Sequence, residues 1–190
     1  MKALVVYESM FGNTALVAEA IASGMRETMD VDLCGVQDAP SVPADDVGLI
    51  VAGGPTHAFS MSRTQTRTDA IAKGASEGKV DFGLREWIDG IPGGRHTSAL
   101  VTFDTRVDKV RHLPGSAAKS AAKAGHKHGF KRDPARQNGC EGSGPPITLA
   151  NAVETAGQRK DCGYMANFDQ RACQDDPIVA EVEIRPLRLE

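Results

Sequence analysis

The chain begins with an unbroken apolar run, Ala3 to Tyr7. Two more runs of the same kind follow, Val47 to Ala52 ("VGLIVA") and Ser98 to Phe103 ("SALVTF"). Short continuous apolar runs mark strands buried on both faces. Val31 to Val36 ("VDLCGV") reads as one further strand. Between the runs the period lengthens. From Thr14 to about Thr28, Leu16, Val17, Ala20, Ile21 and Met25 recur at helical spacing and form one apolar face. Shorter helices are expected over about Thr66 to Lys73 and Gly83 to Asp89. The second carries the only tryptophan, Trp87, which with Leu84 and Ile88 reads as a core anchor first and a ligand contact second. An Ala- and Lys-rich helix is expected over Pro114 to His128. Buried strands interleaved with helices predict an α/β fold, a doubly wound parallel sheet covered on both faces and linked by right-handed crossovers.

The pattern stops near residue 130. "KRDPARQNGCEGSGPP" is polar and rich in Gly and Pro, "ITLANAVETAGQRK" has helical character, and "IVAEVEI", residues 178 to 184, has the look of a strand. The division expected is therefore a domain over residues 1–130 and an atypical segment over 131–190.

Composition narrows the function classes. The 190 residues are 41% hydrophobic and 25% charged, which are ordinary globular values, and only 5% aromatic, so the core must rest on aliphatic side chains. The net charge of −3 excludes a generally basic nucleic-acid-coating protein. It also hides an asymmetry. Thr105 to Arg136 holds nine Lys or Arg against Asp108 and Asp133, a net +7, which leaves −10 on the rest. No apolar run reaches membrane-spanning length and no signal-peptide pattern precedes the first strand, so a cytoplasmic protein is expected. Cys34, Cys140, Cys162 and Cys173 have no zinc-like spacing and are expected as free thiols.

In an open parallel sheet, ligands bind beyond the carboxyl ends of the strands, where strand order reverses. Three stretches lie there. "ESMFGNT", residues 8 to 14, offers Ser9, Asn13 and Thr14 together with the free amides and dipole of a helix start, which favour a phosphate. Gly12 permits a sharp turn. The loop has no lysine, against a GxxxxGK[ST] triphosphate site, and no GxGxxG, against a dinucleotide site. A capped helix start is the plainer alternative. Glu8 is expected to point away from any phosphate. "GGPTHAF" supplies Gly53 and Gly54, expected to free peptide groups toward a flat ligand. It also carries Pro55, Thr56, His57 as a hydrogen-bond donor, a solvent-facing group or less readily an acid/base, and Phe59 to pack on a ring; an ordinary βα turn is the plainer alternative. "TFDTR" puts polar groups where a ring edge would lie, with Asp104 and Arg106 forming either an ion pair or a ligand contact.

Together "YESMFGNT" and "GGPTHAFSMSR" resemble the phosphate and second flavin loops of the flavodoxin-like superfamily. The likeness is to actinobacterial flavodoxin family proteins and to FMN-dependent quinone reductases of the tryptophan-repressor-binding-protein type. The resemblance covers residues 1 to about 130 and implies the strand order 2-1-3-4-5. It implies FMN as cofactor, with Ser9, Phe11, Gly12, Asn13 and Thr14 on its phosphate. Pro55, Thr56, His57 and Phe59 would lie beside the isoalloxazine, and Thr102, Phe103, Asp104 and Arg106 on its other flank. The family's fifth strand and last helix have no clear counterpart: either "IVAEVEI" supplies that strand after a long insertion, or the segment is a non-homologous tail.

The function expected is electron transfer between redox partner proteins. The alternatives are an NAD(P)H:quinone oxidoreductase and a scaffold that has lost flavin. Lys119, Lys123 and Lys127 share one helix face, solvated or docked on an acidic partner; no nucleic acid and no membrane are expected as partners. His126 and His128 with Cys140 make a poor zinc pattern, and a solvated helix end is expected there.

Overall fold

In a computed structural model of the chain, residues 2–107 and 114–130 are described in full, and residues 178–181 by their backbone. Every apolar run becomes a strand. The elements in chain order are β1 (Lys2–Tyr7), α1 (Asn13–Met25), β2 (Asp30–Gly35), β3 (Val47–Pro55), α2 (Thr64–Ala72), α3 (Leu84–Gly90), β4 (Ala99–Val107), α4 (Ala117–Lys127) and β5 (Ile178–Glu181). They form one sheet of order β2-β1-β3-β4-β5. The first four strands are parallel, with Tyr7 opposite both Gly35 and Gly53, and Gly53 opposite Phe103. Tyr7, Gly53 and Phe103 thus stand level across the sheet, while β3 and β4 run on past that level to Pro55 and Val107.

Alternation along the strands sorts side chains to the two faces. Leu4 and Val6 of β1, with Ile50 and Ala52 of β3, pack with Leu84, Trp87 and Ile88 of α3 and Ala117 and Ala121 of α4. Ala3 and Val5, with Leu49, Val51, Val101 and Phe103, meet Ala18, Ile21, Ala22 and Met25 of α1. This is the doubly wound arrangement. Trp87 is 2% exposed and donates its Nε1 hydrogen to the Pro40 carbonyl at 2.9 Å, a core role. Cys34 is half-buried against the first cluster, and burial pushes its thiol pKa up. Strand β2 closes one edge with exposed Asp30 and Asp32, charges that discourage pairing with a further chain.

Three differences from the sequence reading matter for the site. β3 continues through Gly53 and Gly54 to Pro55, and these glycines are packing positions. A Cβ on Gly53 would overlap the Phe103 ring, and one on Gly54 would stand 3.3 Å from Leu84 and 3.4 Å from Glu8. β4 likewise runs four residues beyond Phe103, so "TFDTR" is strand, and residues 108–113 after it lie outside the described residues. Finally, Ile178–Glu181 pairs antiparallel with Asp104–Val107. The expected parallel sheet holds over its first four strands, and the fifth strand, left open by the sequence, runs antiparallel. The remainder of 131–190, including the final helix of the family pattern, lies outside the described residues. Among the described residues no helix is long and apolar enough to cross a membrane.

Candidate functional site

The carboxyl ends of the neighbouring strands β1, β3 and β4 bring together the first two loops and the end of the third stretch. The chain leaves β1 at Glu8, turns within three residues, and enters α1 through Gly12, whose φ of 85° lies in the left-handed region. That conformation suits only glycine without strain. Ser9 Oγ accepts the Gly12 amide at 3.0 Å and so closes the turn, which leaves its hydroxyl hydrogen to donate. Gly12 has no side chain to cap α1. Among the described residues, no acceptor meets the amides of Asn13, Thr14 or Ala15. These three orphan donors and the helix dipole face the space beyond the sheet. Phe11 and Asn13 are half-buried at the loop surface. Thr14 is 2% exposed, with its Oγ1 2.8 Å from the hydroxyl of Thr105, a residue of β4. The alternation of β4, with Phe103 and Thr105 on the α1 side, was the signal for Thr105.

After Pro55, the second loop folds into a tight turn. His57 and Ser60 exchange both backbone hydrogen bonds, at 2.9 and 3.1 Å, and the two residues between them, Ala58 (φ 48°) and Phe59 (φ 63°), are left-handed. Two consecutive positive φ values between paired residues define the mirror-image hairpin turn usually built from Asn-Gly. Here it is built from Ala-Phe, and it lifts Phe59 to 51% exposure. Gly115 must be glycine because a Cβ there would stand 2.5 Å from the Phe59 carbonyl oxygen. Arg85 braces the far side of the turn through Ser60 Oγ, the Met61 carbonyl and the Ser62 carbonyl. His57 is half-buried and its Nδ1 is buried with no partner among the described residues. Burial first, then the positive charges of Arg67 and Lys73, push its pKa down, so the imidazole is neutral at pH 7.

The residues of the third stretch serve the start of α4. Thr56 Oγ1 accepts from the Ala117 amide at 2.9 Å and donates to Asp104 at 3.1 Å. Asp104 Oδ2 also accepts the Ala118 amide at 3.0 Å, and Ser116 Oγ the Lys119 amide at 3.0 Å. The first-turn donors of α4 are thus occupied, unlike those of α1. Asp104 is 0% exposed and pairs with Arg106 at 3.1 Å; Thr102 gives its hydroxyl hydrogen to the Ala118 carbonyl, and Phe103 lies in the core. The side chains of Thr102, Phe103 and Asp104 are engaged within the protein. His126 and His128 lie against the Phe130 and Ile91 carbonyls, and no metal cluster is present among the described residues.

Glu8 turns inward beneath the loop and is 1% exposed. One oxygen accepts from Ser62 Oγ, the other from the Leu84 amide at 2.7 Å. Arg67 of α2, fully buried, donates to the same Ser62 hydroxyl at 2.8 Å and to the Val80 carbonyl at 2.7 Å, and pairs with Glu86 at 3.0 Å. Arg67 escaped the sequence reading. Its signal was there: α2 has almost no apolar face, and Arg67 lies three residues before the buried Ala70 on the inward stripe.

No protein-family model and no curated protein sequence matches the chain. Solved structures do. A flavodoxin of Streptococcus pneumoniae TIGR4 aligns with a TM-score of 0.50 over 70% of this chain and 80% of its own, at 14% identity. A short-chain flavodoxin associated with a non-canonical PDU bacterial microcompartment gives 0.50 over 69% and 78%, at 13% identity. A flavodoxin from the domain Archaea shares 22% identity over 69% of this chain and 77% of that one, at a TM-score of 0.45. The fold of this chain is flavodoxin-like.

Proposed function

We propose that this chain is an FMN-binding electron-transfer protein of flavodoxin type. One observation carries the reading: the orphan amides of Asn13, Thr14 and Ala15, set by the left-handed Gly12 at the switch point of a flavodoxin-like sheet. Donors without a partner at a helix start suit one phosphate monoester and need no lysine. The neighbouring residues fit the rest of the cofactor. Phe59 is a ring held out to solvent by a strained turn, and the buried Nδ1 of His57 lacks a partner. Strain of this kind collects at ligand-contacting loops. Ser9, Phe11, Gly12, Asn13 and Thr14 would hold the phosphate end, and Pro55, Thr56, His57 and Phe59 the ring. FMN, when bound, supplies the redox chemistry; the chain binds it, orients it and excludes water from one side. The exposed Lys119, Lys123 and Lys127 of α4 are the face for an acidic redox partner.

A visible spectrum after FMN addition tests this. Oxidised-flavin bands that stay with the protein through gel filtration are expected; protein that remains colourless sinks the proposal and leaves the scaffold alternative. The buried Nδ1 of His57, without a partner among the described residues, favours a second reading, FMN-dependent quinone reduction, because an imidazole nitrogen open to a proton beside the ring would serve a two-electron reductase. Steady NADH consumption with a quinone by this chain alone would establish that reading over the carrier.

A further inference from the structure

One buried cluster lies outside the groups that would meet the cofactor: Glu8, Ser62, Arg67 and Glu86. Glu8 and Arg67 are 1% and 0% exposed. Taking two charges out of water is costly, and an apolar cluster of the same shape commonly stabilises a fold as well or better. Stability therefore does not account for it, whereas its connections do. Ser62 is the joint, giving its hydrogen to Glu8 and accepting that of Arg67. Glu8 reaches on to the Leu84 amide, Arg67 to the Val80 carbonyl, and Glu86 to both Arg67 and the Gly83 amide. Three separate segments, residues 8–10, 60–62 and 80–86, are thereby fixed to one another.

We propose that this cluster is a positioning device for the phosphate loop, locking its first residue to the 60–62 turn and the α2–α3 connection so that the amides after it stand where a phosphate dianion is held. The proposal rests on the FMN reading above and deepens it, naming residues that set the preference for the phosphorylated flavin. The loop has little slack to absorb a shift. Only three residues separate Glu8 from Gly12, and Ser9 already closes that turn. The α2–α3 connection touches the loop a second time, where the Glu77 amide donates to the Met10 carbonyl at 3.2 Å. Gly83 completes the fit: a Cβ there would stand 2.6 Å from both Arg67 Nη1 and Glu8 Oε2. A supporting shell held this tightly fixes its binding groups to within fractions of an ångström.

The test compares FMN with riboflavin, which lacks the phosphate, by fluorescence titration of the full chain. Ser62→Ala removes the joint without adding bulk. Its Kd for FMN is expected to rise about tenfold, while its Kd for riboflavin stays within about twofold. Glu8→Gln, which keeps the shape and an acceptor for the Leu84 amide, is expected to move the two ligands the same way and carries the test if Ser62→Ala does not fold. The core variant Ile88→Val is the control: it lowers stability without touching the loop and must leave the FMN-to-riboflavin ratio unchanged. Equal weakening of both ligands by the cluster variants, or no weakening, or a ratio that moves in Ile88→Val, overturns the proposal and leaves the FMN reading standing. A wild-type chain that binds riboflavin no worse than FMN overturns the phosphate assignment itself.

Discussion

At the residue scale, Gly53 shows how a glycine that suggests ligand contact can serve packing. Its place is taken by the Phe103 ring, which is fully buried and has nowhere to go. Gly53→Ala is expected to destabilise the fold by about 1–3 kcal/mol through overpacking. Phe103→Leu in the same chain should recover part of the loss. Additive losses in a thermal double-mutant cycle would show that the methyl–ring overlap is not the cause. Glu8 makes a different prediction. Burial pushes its carboxyl up, against the pull of Ser62, the Leu84 amide and Arg67. In the window from the ordinary value of 4.5 to its raised value, the folded chain holds a proton that the unfolded chain has released. Its stabilising contribution is therefore complete below that window and is lost as pH rises through it. Glu8→Gln removes the titration, so unfolding free energy measured in denaturant should fall less steeply with pH than in the wild type. Parallel curves would show that Glu8 titrates normally. The sequence displayed Glu8 as an oddity but not its partners, because Ser62 and Arg67 lie 54 and 59 positions away and share no local pattern with it.

At the element scale, strands and helices were legible because the apolar runs are long enough to fix both period and face. The ends were not. β4 was read as ending at Phe103 because polarity begins there, yet Asp104 and Thr105 are buried through their hydrogen bonds to α4, Thr56 and Thr14. Polar residues inside a strand are invisible to a hydrophobic count when a neighbouring element satisfies them. The turn after β3 was equally hidden, since Ala-Phe is not the dipeptide that announces a left-handed pair. It yields a prediction of its own. Ala58→Gly relieves one left-handed β-carbon and is expected to stabilise the fold by about 1 kcal/mol, read as a rise in the denaturant midpoint at unchanged slope. An unchanged or lower midpoint would show that the turn carries no such strain.

At the scale of the whole molecule, charge is unevenly placed, and the imbalance meets the candidate site through one helix. α4 contains no acid, exposes Lys119, Lys123 and Lys127 along one face, and begins at amides held by Thr56 and Asp104. The full chain nevertheless carries −3. Local and global fields therefore make opposite predictions for a charged electron acceptor approaching the site. If the net charge governed the encounter, reoxidation of FMN-loaded, photoreduced protein by ferricyanide would speed up with added salt. The lysine face predicts the reverse, because screening acts within about 10 Å at 0.1 M and the nearest charges dominate at contact. Ferricyanide reoxidation should slow as salt rises, and hexaammineruthenium(III) reoxidation should quicken. Replacing Lys119, Lys123 and Lys127 by glutamate should cut the low-salt ferricyanide rate by about tenfold, within the range known for electrostatic steering. The substitutions lie on the solvent side of α4 and leave its buried Ala117, Ala118 and Ala121 untouched, so FMN affinity in the same variant should hold. A ferricyanide rate that ignores the three substitutions would remove α4 from the docking surface, and with it the acidic partner proposed for that face.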